Sequence, residues 1–318
     1  MRILITGGAG FIGSHFVKYI LKAHPHYRVV NLDQLTYSGN KDNLREIKNA
    51  RYRFVHGDIC NAVLVDRLVA ACDAVVHFAA ETHVDRSIKD GAVFVRTNVV
   101  GTHVLLEAAL RHKIKRFVHV STDEVYGSRL KGYFKESDGL NPSSPYSASK
   151  ASSDLLARSY FITYGMDVVI TRCSNNFGPC QYPEKVIPLF VTNLIEGKKA
   201  PLYGTGKNVR DWIYVSDHCR AVDLALHKGK AGEIYNIAAD HYRDNLILTK
   251  TIFKIMRQPL SMIRYVEDRL GHDFRYAIDC AKIRRLGFKP QVSFEEGIER
   301  TVRWYQANEW WWRKLKKI

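Results

Sequence analysis

No two of the six cysteines (Cys60, Cys72, Cys173, Cys180, Cys219, Cys280) form a C-x-x-C pair. Their scatter argues against a zinc ribbon or a disulfide framework, so they read as buried hydrophobes or plain thiols and no metal is expected. Long apolar runs are also lacking. None approaches the roughly 18 apolar residues of a membrane-spanning helix, so no membrane span is expected. "MRILITGG" passes from Met1 into an apolar stretch without signal-peptide architecture, which reads as a cytoplasmic protein. Acids are scarce beside bases, 32 against 48, giving a formal net charge of +16. Such a surplus admits nucleic acid, an anionic surface or a phosphorylated substrate. The basic residues are spread along the chain apart from the tail "RKLKKI", and no nucleic-acid-binding module is present. A basic solvated surface is the plainer reading, and no nucleic-acid partner is expected.

What is present is an alternation. "RILIT", "RVVNLD", "RFVHGD", "AVVHFAA", "RFVHVS" and "DVVITRC" read as buried strands. Helical patterns over "GSHFVKYILKAH" and "NVVGTHVLLEAALRH", and one beginning near Ser147, separate them. Continuous apolar strands between helices predict a Rossmann-type α/β fold, a doubly wound parallel sheet covered on both faces. Residues 1–174 form the expected dinucleotide-binding domain. Residues 175–318 form most of a smaller α/β substrate-binding domain, with a strand near 233–238 returned to the first sheet. In such sheets ligands sit at the carboxyl ends of the strands.

"ITGGAGFIG" places Gly7, Gly10 and Gly13 between the first strand and the first helix. Glycines there permit a tight turn and let a pyrophosphate approach the helix N-terminus. The second strand ends at Asp33, an acid suited to the ribose hydroxyls of NAD and repulsive to the extra phosphate of NADP. NAD is the expected cofactor. Asp58, in "HGDI", is placed to meet the adenine edge. Ala79 and Ala80 supply small residues where backbone passes beneath the cofactor.

"SPYSASK" sets Tyr146 and Lys150 four residues apart, on one face of a helix. An ammonium beside a phenol favours the phenolate, so the tyrosine is a candidate base. "VSTDEVYG" then poses a geometric problem. Asp123 and Glu124 are adjacent after an apolar run, and in a strand they would point to opposite faces. The difficulty disappears if the strand ends near Ser121 and the chain turns. Both carboxyls could then face one ligand, one as acid and one as base.

These motifs, with "AAETHVDRS", "CSNNFGP", "PEKVIP", "RDWIYVSDH" and "DRLGHD", make the chain resemble the extended short-chain dehydrogenase/reductase superfamily. Within it the chain is most similar to the dTDP-glucose 4,6-dehydratases, over nearly its whole length. The resemblance implies that Tyr146, supported by Lys150 and Thr122, takes the C4 hydroxyl proton while NAD takes the C4 hydride. Glu124 then removes the C5 proton, Asp123 protonates the departing C6 hydroxyl, and the hydride returns to C6. For the cofactor it further implies Phe11, Ile12, Thr36, Ile59, Glu81, Thr97 and Asn176. On the side of a nucleotide-diphosphate sugar it implies Thr82, Thr122, Asn175, Lys185, Val186, Pro201, Tyr203, Arg210, Asn245, Arg269 and His272. His83 and Ser87 stand where they could reach the sugar, whereas His119 reads as a core histidine. The resemblance also implies a homodimer.

Three functions remain open on these residues. One is a 4,6-dehydratase for dTDP-glucose, or alternatively for a UDP-sugar. The second is a nucleotide-sugar 4-epimerase, which returns its hydride to the carbon it came from and needs no acid pair. The third is a basic NAD-binding scaffold for nucleic acid, against which the intact Tyr146 and Lys150 argue. The tail "NEWWWRKLKKI" reads as a packed terminal helix, with a membrane surface or an acidic partner as the alternative.

Overall fold

The computed structural model describes residues 1–268 and 270–316. Arg269, an expected pyrophosphate clamp, therefore lies outside the described residues. The strands are β1 (Arg2–Thr6), β2 (Arg28–Asp33), β3 (Tyr52–His56), β4 (Ala74–His77), β5 (Arg116–Thr122), β6 (Val168–Cys173), β7 (Asn175–Phe177), β8 (Ala200–Tyr203), β9 (Val209–Tyr214), β10 (Ile234–Ile237), β11 (Tyr242–Asp244) and β12 (Ile263–Val266). Seven of them form one sheet in the order β10-β6-β5-β4-β1-β2-β3, and every pairing in it is parallel. The winding direction reverses between β1 and β4, which opens a crevice at their carboxyl ends.

Both faces of this sheet are buried. Helices Phe11–Ala23 and Val215–Lys228 share one apolar core with Ile3, Ile5, Val29 and Val118. Helices Ala62–Val69, Ala92–Arg111 and Pro145–Tyr164 share another with Leu4, Leu32, Val75 and Phe117. A strand buried on both sides needs apolar residues at successive positions, which is why these strands read as continuous runs.

The helix Ala92–Arg111 is, by length and composition, apolar enough to cross a membrane, with a mean hydropathy of 1.2. The sequence pattern began this helix only at Asn98 and found no such run. Here the helix covers the sheet and packs along Pro145–Tyr164. Its segment Val95–Val100 is π-helical.

The remaining strands form two small sheets, β11-β9-β7 and β12-β8. They surround a third core that includes Phe177, Phe190, Trp212, Phe294, Trp311 and Trp312. Helix Phe294–Ala307 starts where the sequence pattern put it, with Ser293 Oγ accepting from the Glu296 amide at 3.3 Å. The terminal helix Glu309–Leu315 is packed, as read from the sequence: Trp311 and Trp312 are buried, while Trp310 is exposed.

Candidate functional site

A cleft of about 280 Å³ lies along the carboxyl ends of β1, β2, β4, β5 and β6. Its first wall is the glycine loop. Gly7 has φ +72°, and a Cβ there would lie 2.6 Å from the Ala79 nitrogen. A Cβ on Gly13 would lie 2.2 Å from the Gly7 carbonyl oxygen. Both positions therefore require glycine, one for its backbone and one for its packing. The helix that follows has no side-chain cap and no acid in its first turn, which leaves its N-terminal amides for an anion.

Asp33 ends β2. Its Oδ2 accepts from the Ala9 amide and its Oδ1 from the Leu35 amide, both at 2.8 Å. Burial raises its pKa, and these hydrogen bonds oppose the rise. The carboxylate thus fixes the glycine loop while facing the cleft.

Ala9 is also held from its other side. The Asn43 amide donates to the Ala9 carbonyl at 2.9 Å, and Trp311 Nε1 donates to Asn43 Oδ1 at 2.9 Å. The C-terminal helix is therefore tied to the cofactor loop through one buried asparagine. Asn43→Ala removes both bonds and leaves an indole N–H unsatisfied. It should raise the dissociation constant for NAD about tenfold, equivalent to ~1.4 kcal/mol, in a calorimetric titration. Unchanged affinity with a lowered melting temperature would make the tie purely structural.

The second wall carries the titratable groups. β5 ends at Thr122, one residue beyond the expected end, and Asp123–Tyr126 form a 3₁₀ turn. Thr122 Oγ1 caps that turn by accepting from the Glu124 amide at 3.2 Å. The turn breaks strand alternation, so Asp123 and Glu124 both line the cleft. Asp123 is buried, and its Oδ2 has no hydrogen-bond partner among the described residues. Burial, and then the neighbouring Glu124 charge, raise the Asp123 pKa well above the usual carboxylate value. Both causes favour the protonated form of Asp123 over its carboxylate.

Tyr146 lies in the first turn of helix Pro145–Tyr164. A reciprocal cap between Ser144 and Ser147, with Pro145 at the first helical position, sets that start. The sequence reading expected the Lys150 ammonium to lower the phenol. Instead burial and the Glu124 charge push Tyr146 well up, with the Thr122 hydroxyl pulling the other way. Lys150 Nζ is engaged by the Val120 carbonyl at 2.9 Å, and burial depresses its own pKa to about 8.

Every expected cofactor residue except Asp58 lines this cleft. Asp58 caps the Cys60 amide at 2.8 Å and lies 3.4 Å from Arg96. Asn98, on the π-helical turn, brackets Glu81 through two backbone bonds and reaches Ser149 at 2.8 Å. Asn175 and Asn176 line the cleft with buried Oδ1 atoms that lack a partner among the described residues.

Of the expected substrate residues, Thr82, Thr122, Asn175 and Lys185 line the cleft, and Lys185 Nζ donates to the Thr82 carbonyl at 3.0 Å. His83 and Val186 flank it without lining it, and His83 lies 3.8 Å from Glu184. The Ser87 hydroxyl turns back to the Val84 carbonyl at 2.7 Å and does not enter. Pro201, Tyr203, Asn245 and His272 lie elsewhere, on β8, helix Asn245–Ile255 and the loop after β12. Tyr203 and His272 meet edge to face, with ring centroids 6.3 Å apart. Arg210 is buried on β9 and donates to the carbonyls of Val209 and Asp273, both at 2.8 Å.

Sequence reasoning missed two residues. Tyr276 lies beneath the Arg210 guanidinium at 4.1 Å and feels the Glu124 charge. Cys173 ends β6 against Asp123 and Lys150 and lines the cleft. A lone tyrosine in "FRYAID" carries no signal, and Cys173 looked like a core thiol.

The glycine loop, Asp33 and the orphan asparagine oxygens fit NAD. With the tyrosine-lysine pair on a doubly wound sheet, they define a site of the dinucleotide-dependent short-chain dehydrogenase/reductase type. The chain belongs to the GDP-mannose 4,6 dehydratase family, whose match spans residues 4–301. A dTDP-glucose 4,6-dehydratase from Streptomyces niveus is 56% identical over 322 residues, covering 99% of this chain and 96% of its own. The crystal structure of DesIV, a dTDP-glucose 4,6-dehydratase from Streptomyces venezuelae with NAD and dTDP bound, has a TM-score of 0.98 at 55% identity and covers 99% of this chain and 100% of its own. A UDP-glucose 4-epimerase from Thermotoga maritima shares the fold at a TM-score of 0.90 and 32% identity, covering 97% of this chain and 100% of its own.

Proposed function

We propose that the protein is a dTDP-glucose 4,6-dehydratase that forms dTDP-4-keto-6-deoxyglucose and water. One observation carries the reading beyond the shared fold: a buried Asp123, its pKa raised by burial and by Glu124, beside Glu124 in a cleft that also holds Tyr146. An epimerase has no use for that pair. The 56% identity to a dehydratase, against 32% to the epimerase neighbour, supports the same choice.

In this reading Gly7, Gly10, Gly13, Asp33 and Asn176 hold NAD, which supplies a reversible hydride acceptor at the sugar's C4. Tyr146 receives the C4 hydroxyl proton as its phenolate, a state that the Thr122 hydroxyl and the Lys150 ammonium favour and that burial and Glu124 oppose. Removal of hydride and proton leaves a C4 carbonyl, which acidifies the neighbouring C5–H. Glu124 takes that proton and Asp123 gives its own to the C6 oxygen, so water departs rather than hydroxide and a C5–C6 double bond is left. The hydride drawn from C4 would then return to C6 while Glu124 gives its proton back to C5, which completes the 4-keto-6-deoxy product. Asn175, Lys185 and Arg210 hold the nucleotide diphosphate, with Tyr203, Asn245 and His272 farther along it.

Residues 1–174 with β10 act as the cofactor unit, and most of 175–318 as the sugar-nucleotide unit. Exposed Val95, Val100, Leu155 and Ile162, on two helices that pack together, support a homodimer. Six free thiols support a reducing, cytoplasmic setting.

Substrate deuterated at C4 should yield a 4-keto-6-deoxy product labelled at C6. Label released to solvent, or a product that keeps its C6 hydroxyl, would sink the proposal. Assaying dTDP-glucose, UDP-glucose and UDP-N-acetylglucosamine side by side separates the thymine from the uracil reading.

A further inference from the structure

We infer that the amino-terminal edge of the main sheet carries a second anion site, built for an oligophosphate chain. The strand register assembles it. Arg2 of β1 stands beside Arg28 of β2, and Val30 of β2 beside Arg53 of β3. Leu4, Val30 and Val55 belong to the core beneath helix Ala62–Val69. Side chains two apart share a face, so Arg2, Arg28 and Arg53 leave the sheet on that same side. Arg67 joins them from the last turn of that helix.

These four residues line a cleft of about 470 Å³ whose lining contains no carboxylate. Arg2 donates to the Ala71 carbonyl at 3.0 Å. The side chains of Arg28, Arg53 and Arg67 make no hydrogen bond or ion pair with any described residue. Arg51 shows the contrast: at the same edge it is used up by the carbonyls of Leu21, His24 and Tyr27. Asp73 lies beside this cleft, accepting from the Arg2 amide at 2.7 Å, but is not in its lining. The four cations repel each other, and an anion relieves that repulsion. Guanidinium groups match phosphoryl oxygens bidentately. A chain of phosphoryl groups can engage more of these guanidinium groups at once than a single phosphate can. The glycine loop lies at the opposite end of the strands, so the two sites are distinct.

A free oligophosphate and a nucleoside triphosphate share this chemistry. Tripolyphosphate and ATP should each be titrated calorimetrically into the NAD-loaded enzyme saturated with dTDP, a plug that rests on the proposed function. We expect saturable binding of one equivalent that weakens with added salt. Equal affinities assign the free chain, and tighter ATP binding assigns the nucleotide. Combined Arg28→Gln, Arg53→Gln and Arg67→Gln should weaken binding at least about tenfold while leaving turnover unchanged. The corresponding lysine variant should recover part of the loss.

Phenylglyoxal labelling of the parent enzyme needs neither a variant nor the plug. Tripolyphosphate should protect Arg28, Arg53 and Arg67. Protection confined to Arg210 would mean that only the sugar-nucleotide site binds. That outcome, the absence of saturable binding, or full binding by the glutamine variant would each overturn the inference.

Discussion

Combining Asp123→Asn with Glu124→Gln should abolish dehydration while the enzyme still oxidises the sugar at C4. Each group contributes on the order of 10²–10⁴ as a general acid or base, so steady-state product should fall below detection. Tyr146, Lys150 and Thr122 are untouched, and reduced nicotinamide should accumulate on the enzyme in a single turnover. An absorbance trace that rises and stays up is the expected signature. Full turnover in the double variant would favour epimerisation instead. The single Asp123→Asn variant adds a stability readout. The Asp123 pKa lies above its unfolded value of 3.8. A raised acid pKa gives stability that is complete below about pH 4 and lost as pH rises through the folded value. At neutral pH the aspartate therefore costs stability, and asparagine, which cannot ionise, should melt higher. The difference should shrink as pH falls toward 4. A variant that loses activity and gains stability would show that the acid is kept for its chemistry.

What the sequence revealed follows from how each element is buried. Of the strands β1 to β6, all but the half-buried edge strand β3 are covered on both faces, so their apolar runs were legible, and with them the glycine loop, Asp33 and the tyrosine-lysine pair. The acid pair was legible as a conflict with strand alternation, which the 3₁₀ turn at Asp123 resolves. β9 was not legible because "VRDWIY" buries Arg210 and Asp211, and buried charge does not read as strand. β7, β8, β11 and β12 are three or four residues long, too short for a period to show. The Tyr-x-x-x-Lys spacing did not show that burial and Glu124 raise the Tyr146 phenol. Spacing sets the face of a helix, but the Val120 carbonyl decides where the ammonium rests.

Asp154→Ala should cost about 3–5 kcal/mol in urea unfolding, the penalty for stranding one partner of a buried ion pair. The stranded partner would be Arg172, whose Nε donates to Asp154 Oδ2 at 2.7 Å with both side chains buried. The network extends further. Arg172 also donates to the Tyr126 hydroxyl at 2.8 Å, Tyr126 donates to Asn236 Oδ1 at 2.9 Å, and His119 lies 3.3 Å from Asp154. These bonds join β5, β6, β10 and the helix bearing Tyr146 and Lys150. Burial alone would raise the Asp154 pKa, but Arg172 and His119 outweigh it and hold it at about 2. A depressed acid pKa gives stability that is present above the unfolded value of 3.8 and lost as pH falls through 2. Between those values the parent should lose more stability than Asp154→Asn. Activity should change as well. The Asp154 charge holds the Lys150 pKa up against burial, so its removal should bring that pKa below about 8 and leave less of the ammonium. The alkaline limb of kcat should then move to lower pH, an effect that loss of folded protein would not produce. Replacing the pair together, Asp154→Leu with Arg172→Met, should recover much of the stability. It should not recover the Lys150 charge, so stability returning without activity would assign the aspartate both roles. A cost below about 1 kcal/mol for Asp154→Ala would mean that the network is not what fixes this helix.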